Sequence, residues 1–425
     1  MIKTYINLFK NKEIRGKIYF TLAMLLIYRL GAGIPTPGVD AVKLLASVSQ
    51  NSIISMMNLL GGGSLQSFSV FALGVGPYIT ASIIVQLLSM DVIPYLTELS
   101  KGGQKGRLQL DKITRYIAVV MAFIQAFTMT YAFDVSSGII VNSSVAVYLY
   151  IATILTAGTM FLCWIGDRIS AKGIGNGISI IIFAGIVANL PSQFLTIYQD
   201  LTTTDFSSGI IIFLGYILMY IALIVMVIFM SQATRRIPIQ YTSSSVQKGR
   251  NDMTFLPLRI NSASVIPVIF AAALLTAPRT VLSFFPTNSV ISFFDVILDY
   301  SQPWGLVLYI VLIIAFTFFY TSLQVDPEKI SEDLSKNGSY IPGVRPGVET
   351  KKYITIVLNR ITVLGSLTLA FISALPYLLP LITPLPNSVS LGGTGIIIVV
   401  GVALETMKDL TGQLTQRSYR GFSGK

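Results

Sequence analysis

The sequence predicts an all-α polytopic membrane protein, with ten transmembrane helices in two inverted five-helix halves around a central cavity. Three observations carry this. First, 53% of the 425 residues are hydrophobic and 12% are charged, with a mean hydropathy of +0.72; soluble domains carry about 25% charged residues. Second, long apolar runs recur along the whole chain. Third, Lys and Arg fall on alternate sides of successive runs, and a fixed connection splits the runs into two equal sets.

The spans are read at about 18–36, 73–90, 114–133, 145–165, 174–192, 209–230, 261–285, 304–324, 354–379 and 390–407. Six intervening segments hold clustered Lys and Arg: 1–17, 91–116, 166–173, 232–260, 325–360 and 408–425. They carry 27 of the chain's 30 basic residues, the exceptions being Arg29, Lys43 and Arg279. The positive-inside rule places both termini and all six segments in the cytoplasm. One missed span would have scrambled the alternation. The basic first 17 residues precede a run long enough to span, so no cleavable signal peptide is expected.

Residues 1–192 and 209–407 are the two halves, 193–208 the external hinge loop and 408–425 a cytoplasmic tail. Five spans is an odd number, so the second half starts on the opposite side from the first. That is the topology of an inverted repeat with its site at the interface.

Span two is preceded by a break. Met56–Leu88 runs apolar into Gly61-Gly62-Gly63, then through Ser64, Gln66, Ser67 and Ser69. The apolar piece Leu73–Leu88 that follows reaches about 24 Å as a helix, against a hydrocarbon core of roughly 30 Å. Irregular backbone survives at membrane depth only against protein or a water-filled cavity. A loop leading into a slightly short helix is the plain alternative.

Two basic loops, 231–260 and 325–353, exceed the length of simple turns. The first holds Arg235, Arg236, Lys248, Arg250 and Arg259. The second holds Arg345 between Pro342 and Pro346, a stiff, projecting tip. Each could serve topology alone. Together on one face they suit docking of an acidic partner, RNA or an acidic protein surface.

No Asp or Glu lies deep in a span, so a proton relay lacks its chemistry. With one cysteine and no histidine, zinc, haem and Ser-His-Asp chemistry are not expected, and no GxxxxGK[ST] is present. The chain is expected to be neither an enzyme nor a cofactor protein. Uncharged polar residues stand in three spans: Gln86, Gln125 and Asn261. They read either as packing contacts or as a seam that opens and closes.

Gly173–Leu190, GIGNGISIIIFAGIVANL, resembles the SecY family, the channel subunits of the bacterial protein translocase. IPTPGVD (34–40), FALGVGPYITASIIVQLL (71–88), the TRR of Thr234–Arg236, LPLRIN (256–261), VIPVIF (265–270), IPGVRPG (341–347) and LGGTGIIIVV (391–400) are similar to that family's motifs, in order. The short tail departs from the pattern and carries no recognisable motif.

The resemblance implies a protein-conducting channel of the bacterial plasma membrane, which passes unfolded preproteins and releases signal peptides and membrane segments sideways into lipid. It implies a plug at about Asn58–Ser69, including Leu60, Gly61, Gly62, Gly63, Ser64 and Leu65. It implies a pore ring of Val75, Ile79, Ile182, Ile269 and Ile398, and a lateral gate between spans two/three and seven/eight. The implied partners are SecE, SecG, the SecA ATPase and the ribosome, with docking at Arg235, Arg236, Lys248, Arg250 and Arg345.

Depth offers a check on the ring. Ile182, Ile269 and Ile398 each lie eight residues into their spans. That is ~12 Å, close to the midplane of a ~30 Å core. Gln86 and Asn261 lie seven and eight residues cytoplasmic of Ile79 and Ile269, at matching depth, as partners across a gate would. The rival class is a secondary transporter of a small solute, which would need a compact polar site at midplane.

Overall fold

The computed structural model describes residues 12–40, 68–90, 92–140, 144–202, 206–241, 254–282, 289–382 and 388–422. In the first half the helices are α1 (Lys12–Ala32), α2 (Gly76–Leu88), α3 (Pro94–Lys101), α4 (Gly103–Ser137), α5 (Val145–Lys172) and α6 (Gly177–Thr202). In the second they are α7 (Phe206–Gln232), α8 (Ile266–Leu282), α9 (Ser289–Leu298), α10 (Pro303–Gln324), α11 (Pro327–Lys336), α12 (Val348–Ile382) and α13 (Ser388–Phe422). The expected spans coincide with α1, α2, α4–α8, α10, α12 and α13. Six of these are long and apolar enough to cross a membrane, and α2 and α8 contribute shorter apolar helices.

The two sets of five repeat one pattern of neighbours. In the first, α2 packs on α4, α4 on α5, α5 on α6, and α1 lies against α5 and α6. In the second, α8 packs on α10, α10 on α12, α12 on α13, and α7 lies against α12 and α13. This repeat was invisible in the residues themselves. The sets meet along two seams. On one, α2 and α4 face α8; on the other, α6 faces α7 and α13.

Residues 68–75 form turns rather than helix, and α2 starts at Gly76. Its 13 residues reach only about 20 Å. The turns are tied down. Thr36 N–H donates to the Phe68 carbonyl at 2.9 Å, and Val70 N–H to the Ile34 carbonyl at 3.1 Å. These bonds satisfy backbone groups that lipid could not. Phe68 has a φ of 41° and is fully buried, its ring edge-on to Phe133.

The stretch expected as a hinge loop is largely helical, because α6 continues through Pro191 to Thr202. Ile197 and Leu201, one turn apart, bury against Tyr216 of α7. The amphipathic spacing of these residues extends the helix beyond its apolar run.

The basic segments share one face. Arg115 pairs with Asp167 at 2.8 Å. Ile14, Ile174 and Leu410 form one buried cluster. Lys408 Nζ donates to the Ser231 carbonyl at 2.9 Å, and burial together with the nearby Arg259 guanidinium lowers its pKa. The two long loops join in a sheet of order β2-β1-β3, from β1 (Thr234–Tyr241), β2 (Thr254–Arg259) and β3 (Ser339–Tyr340). Both pairings are antiparallel, with Arg236 opposite Pro257 and Gln240 opposite Tyr340. Ile237 and Leu258 turn inward onto Ile341, Ile354 and Leu358. The loops are therefore one small platform built on the base of α12.

Candidate functional site

The five residues expected at the constriction come together. Val75 caps the start of α2, and Ile79 sits in its first turn. Ile182 comes from α6, Ile269 from α8 and Ile398 from α13. Val75, Ile182 and Ile398 are buried in one cluster, with Ile79 and Ile269 packed against it. Ile79 and Ile269 also pack against the main cluster of the second half. The aliphatic group therefore lies where the halves meet.

Two glycines explain the close approach of α5 and α6 beside it. A Cβ on Gly177 would collide with the Gly166 backbone, and Gly175 has a φ of +58°. Asn176 Oδ1 accepts from the N–H groups of Ile178 and Ser179, capping α6.

Comparison with known proteins decides the family. The family model described as SecY matches residues 69–407. The chain belongs to the SecY family. It is 46% identical over its full length to the protein translocase subunit SecY of Staphylococcus carnosus (strain TM300), also covered in full. It is 47% identical, again over all of both chains, to that of Staphylococcus aureus (strain NCTC 8325 / PS 47). Among solved structures it matches a protein conducting channel with a TM-score of 0.67 and 18% identity, covering 93% of this chain and 92% of the other. It also matches Sec61 from the canine ribosome-channel complex of the endoplasmic reticulum, with a TM-score of 0.62, 18% identity and the same coverage. At that identity the structural matches show the fold.

On this SecY-family scaffold the three polar span residues have different surroundings. Gln86 Oε1 accepts from the Tyr320 hydroxyl of α10 at 2.5 Å, while its Nε2 donates to Ser82 Oγ at 3.3 Å. Gln125 is half-buried on α4. Asn261 does not pair with Gln86. Its Nδ2 donates to the Ser264 carbonyl at 2.9 Å, across a turn where Ser264 has a φ of 57°. The expected span began at Asn261, but α8 begins at Ile266. Asn261 thus sits in the entry turn, and the depth count that matched it to Gln86 assumed helix where there is none.

Arg235, Arg236 and Arg345 are exposed on the platform. Lys248 and Arg250 lie outside the described residues, as do Leu60, Gly61, Gly62, Gly63, Ser64 and Leu65 of the expected plug. Phe68 and Ser69, which end that stretch, are buried.

Three features escaped the sequence reading. Tyr320 is one. The second is an ion triad with a buried pair at its centre: Arg279 Nη2 bonds the buried Asp299 at 2.7 Å, and its Nε bonds the half-exposed Asp295 at 2.8 Å. Two aspartates one turn apart were its signal. The third is the start of the tail. Asp409 accepts from the Gly175 N–H at 3.2 Å, and Lys17 Nζ donates to Gln413 at 2.9 Å. The tail helix thereby fastens α1 and the α5–α6 turn to the second half, and no local motif announces it.

Proposed function

We propose that the chain is a protein-conducting channel, which translocates unfolded secretory proteins across the bacterial plasma membrane and releases apolar segments laterally into it. The observation that carries this is the aliphatic cluster of Val75, Ile79, Ile182, Ile269 and Ile398 between the two halves. A constriction of such side chains blocks ions by dewetting and conforms to whatever chain passes. A solute carrier would need convergent polar groups there instead. The curated relatives, named protein translocase subunits, support the same reading.

In this reading residues 1–192 and 209–407 are the halves of the channel, and both termini and the platform face the cytoplasm. The seam between α2, α4 and α8 is the lateral gate, with Gln86, Gln125 and Asn261 along it. Apolar segments leave there because transfer of Leu, Ile, Phe and Val into lipid is favourable. The platform carrying Arg235, Arg236 and Arg345 receives the energy source, the SecA ATPase or a translating ribosome, with Lys248 and Arg250 as further proposed docking residues. SecE and SecG are the small membrane partners. Energy comes from such a motor, the chain itself acting as a conduit and not as an enzyme.

The plug supplies the test. Deleting 58–67, which spares the buried Phe68 and Ser69, raises the planar-bilayer conductance well above that of the parent. An unchanged, tight channel would count against a plug in this stretch.

A further inference from the structure

The apolar face of α2 docks on the second half through Ile79, Ile83 and Leu87. These positions are spaced by one turn, and Gln86 lies on the same face. Most of this contact is interchangeable: an arriving apolar segment, or lipid, offers side chains as apolar as those it displaces. The hydrogen bond from Tyr320 to Gln86 is different. It joins α10 of one half to α2 of the other, and an apolar segment cannot replace it.

The bond is also well held at both ends. Tyr320 is 7% exposed, and its ring lies edge-on to Phe270 of α8, 5.1 Å between centroids. The ring is thus fixed to the gate helix while its hydroxyl reaches across the seam. Gln86 is oriented by Ser82 on its own helix, which takes the amide N–H and leaves the amide oxygen for the phenol.

We infer that Tyr320 is the gate's latch, and that its hydroxyl bond to Gln86 sets how apolar a segment must be to part the halves. This rests on the reading of the seam as a lateral gate. Interhelical hydrogen bonds in membranes have energies that correspond to about a 3- to 20-fold change in an equilibrium ratio. Loss of the hydroxyl therefore shifts the ratio of inserted to translocated product by that factor, toward insertion.

The test uses Tyr320→Phe, which keeps the ring packing and removes one oxygen. Test segments graded in leucine content are presented to the full translocase in native vesicles, and inserted and translocated products are counted. Tyr320→Phe and Gln86→Leu are each expected to move the midpoint to fewer leucines. The double variant is expected to move it no further than the larger single shift, because both remove one bond. A Tyr320→Phe curve that overlays the parent's, or a double variant showing the sum of the single shifts, overturns the latch. A hydrophilic preprotein is run in parallel on the parent protein. Its failure to cross would overturn the channel reading itself, and the latch with it.

Discussion

Arg345→Glu abolishes motor-driven translocation and leaves the protein inserted and folded. The geometry of the tip separates these two effects. Ile341 anchors the loop in the platform core, and Val344 N–H closes a turn onto the Ile341 carbonyl at 3.1 Å. Gly343 and Gly347 take φ values of 81° and 95°, which glycine adopts freely. The Thr350 hydroxyl donates to the Arg345 carbonyl at 2.9 Å, and the Ser331 hydroxyl to that of Gly347 at 2.8 Å. The backbone is held, and the guanidinium is left exposed.

Substitution of an exposed side chain away from packing changes stability by about 0.5 kcal/mol or less. Placing a like charge at a docking contact costs several kcal/mol, and about 3 kcal/mol is already over 100-fold in affinity. Motor ATPase stimulation and preprotein transport in reconstituted vesicles, at low and moderate salt, read the loss. Arg235 and Arg236 are expected to matter less singly, since adjacent charges share the role. Full transport by Arg345→Glu removes the docking role.

Arg279→Leu destabilises the folded protein by about 3–5 kcal/mol, the usual cost of removing one partner from a buried ion pair. Arg279 is 7% exposed and Asp299 9%. Without the guanidinium, Asp299 stays buried with its charge uncompensated, beside Tyr300 and Tyr309, whose rings pack together. The pair also ties the end of α8 to the helix that precedes α10. The midpoint of thermal unfolding in detergent falls by several degrees. Adding Asp295→Asn and Asp299→Asn to Arg279→Leu recovers most of the loss, because no buried charge is then left unpaired. If the single variant melts with the parent, the triad contributes nothing to stability.

The parts of the fold set by the bilayer were legible. Span length and the sidedness of Lys and Arg obey a slab of fixed thickness, so ten apolar runs became ten helices, the short α2 included. The platform was less so. Ile237 and Ile239 alternate with exposed residues as a strand requires, yet the basic composition of 231–260 drew attention to charge. The constriction was carried by motif: only Ile182 and Ile398 lie beyond the first turn of their helices, and the depth of Ile269, counted from Asn261, rested on a turn read as helix. The gate's bond was not legible. Tyr320 and Gln86 are 234 residues apart, and their meeting depends on how α10 and α2 are set against each other. The pairing of Asn261 with Gln86 failed for a local reason, a turn counted as helix. The tail's contacts come from one charged and two apolar faces meeting in space, and such meetings leave no local pattern.

If the aliphatic ring is the constriction, a substrate chain in transit passes through it. Cys163, the chain's single cysteine, is buried and can be replaced by serine. Single cysteines then replace Ile182 and Ile398, one from each half, or Phe229, which is 77% exposed on α7. A preprotein stalled in transit is probed by crosslinking at each position. The predicted result is crosslinking of the same stalled chain to residues 182 and 398, and none to residue 229. Crosslinks at 229 with none at 182 and 398 would mean that the chain does not pass through the ring.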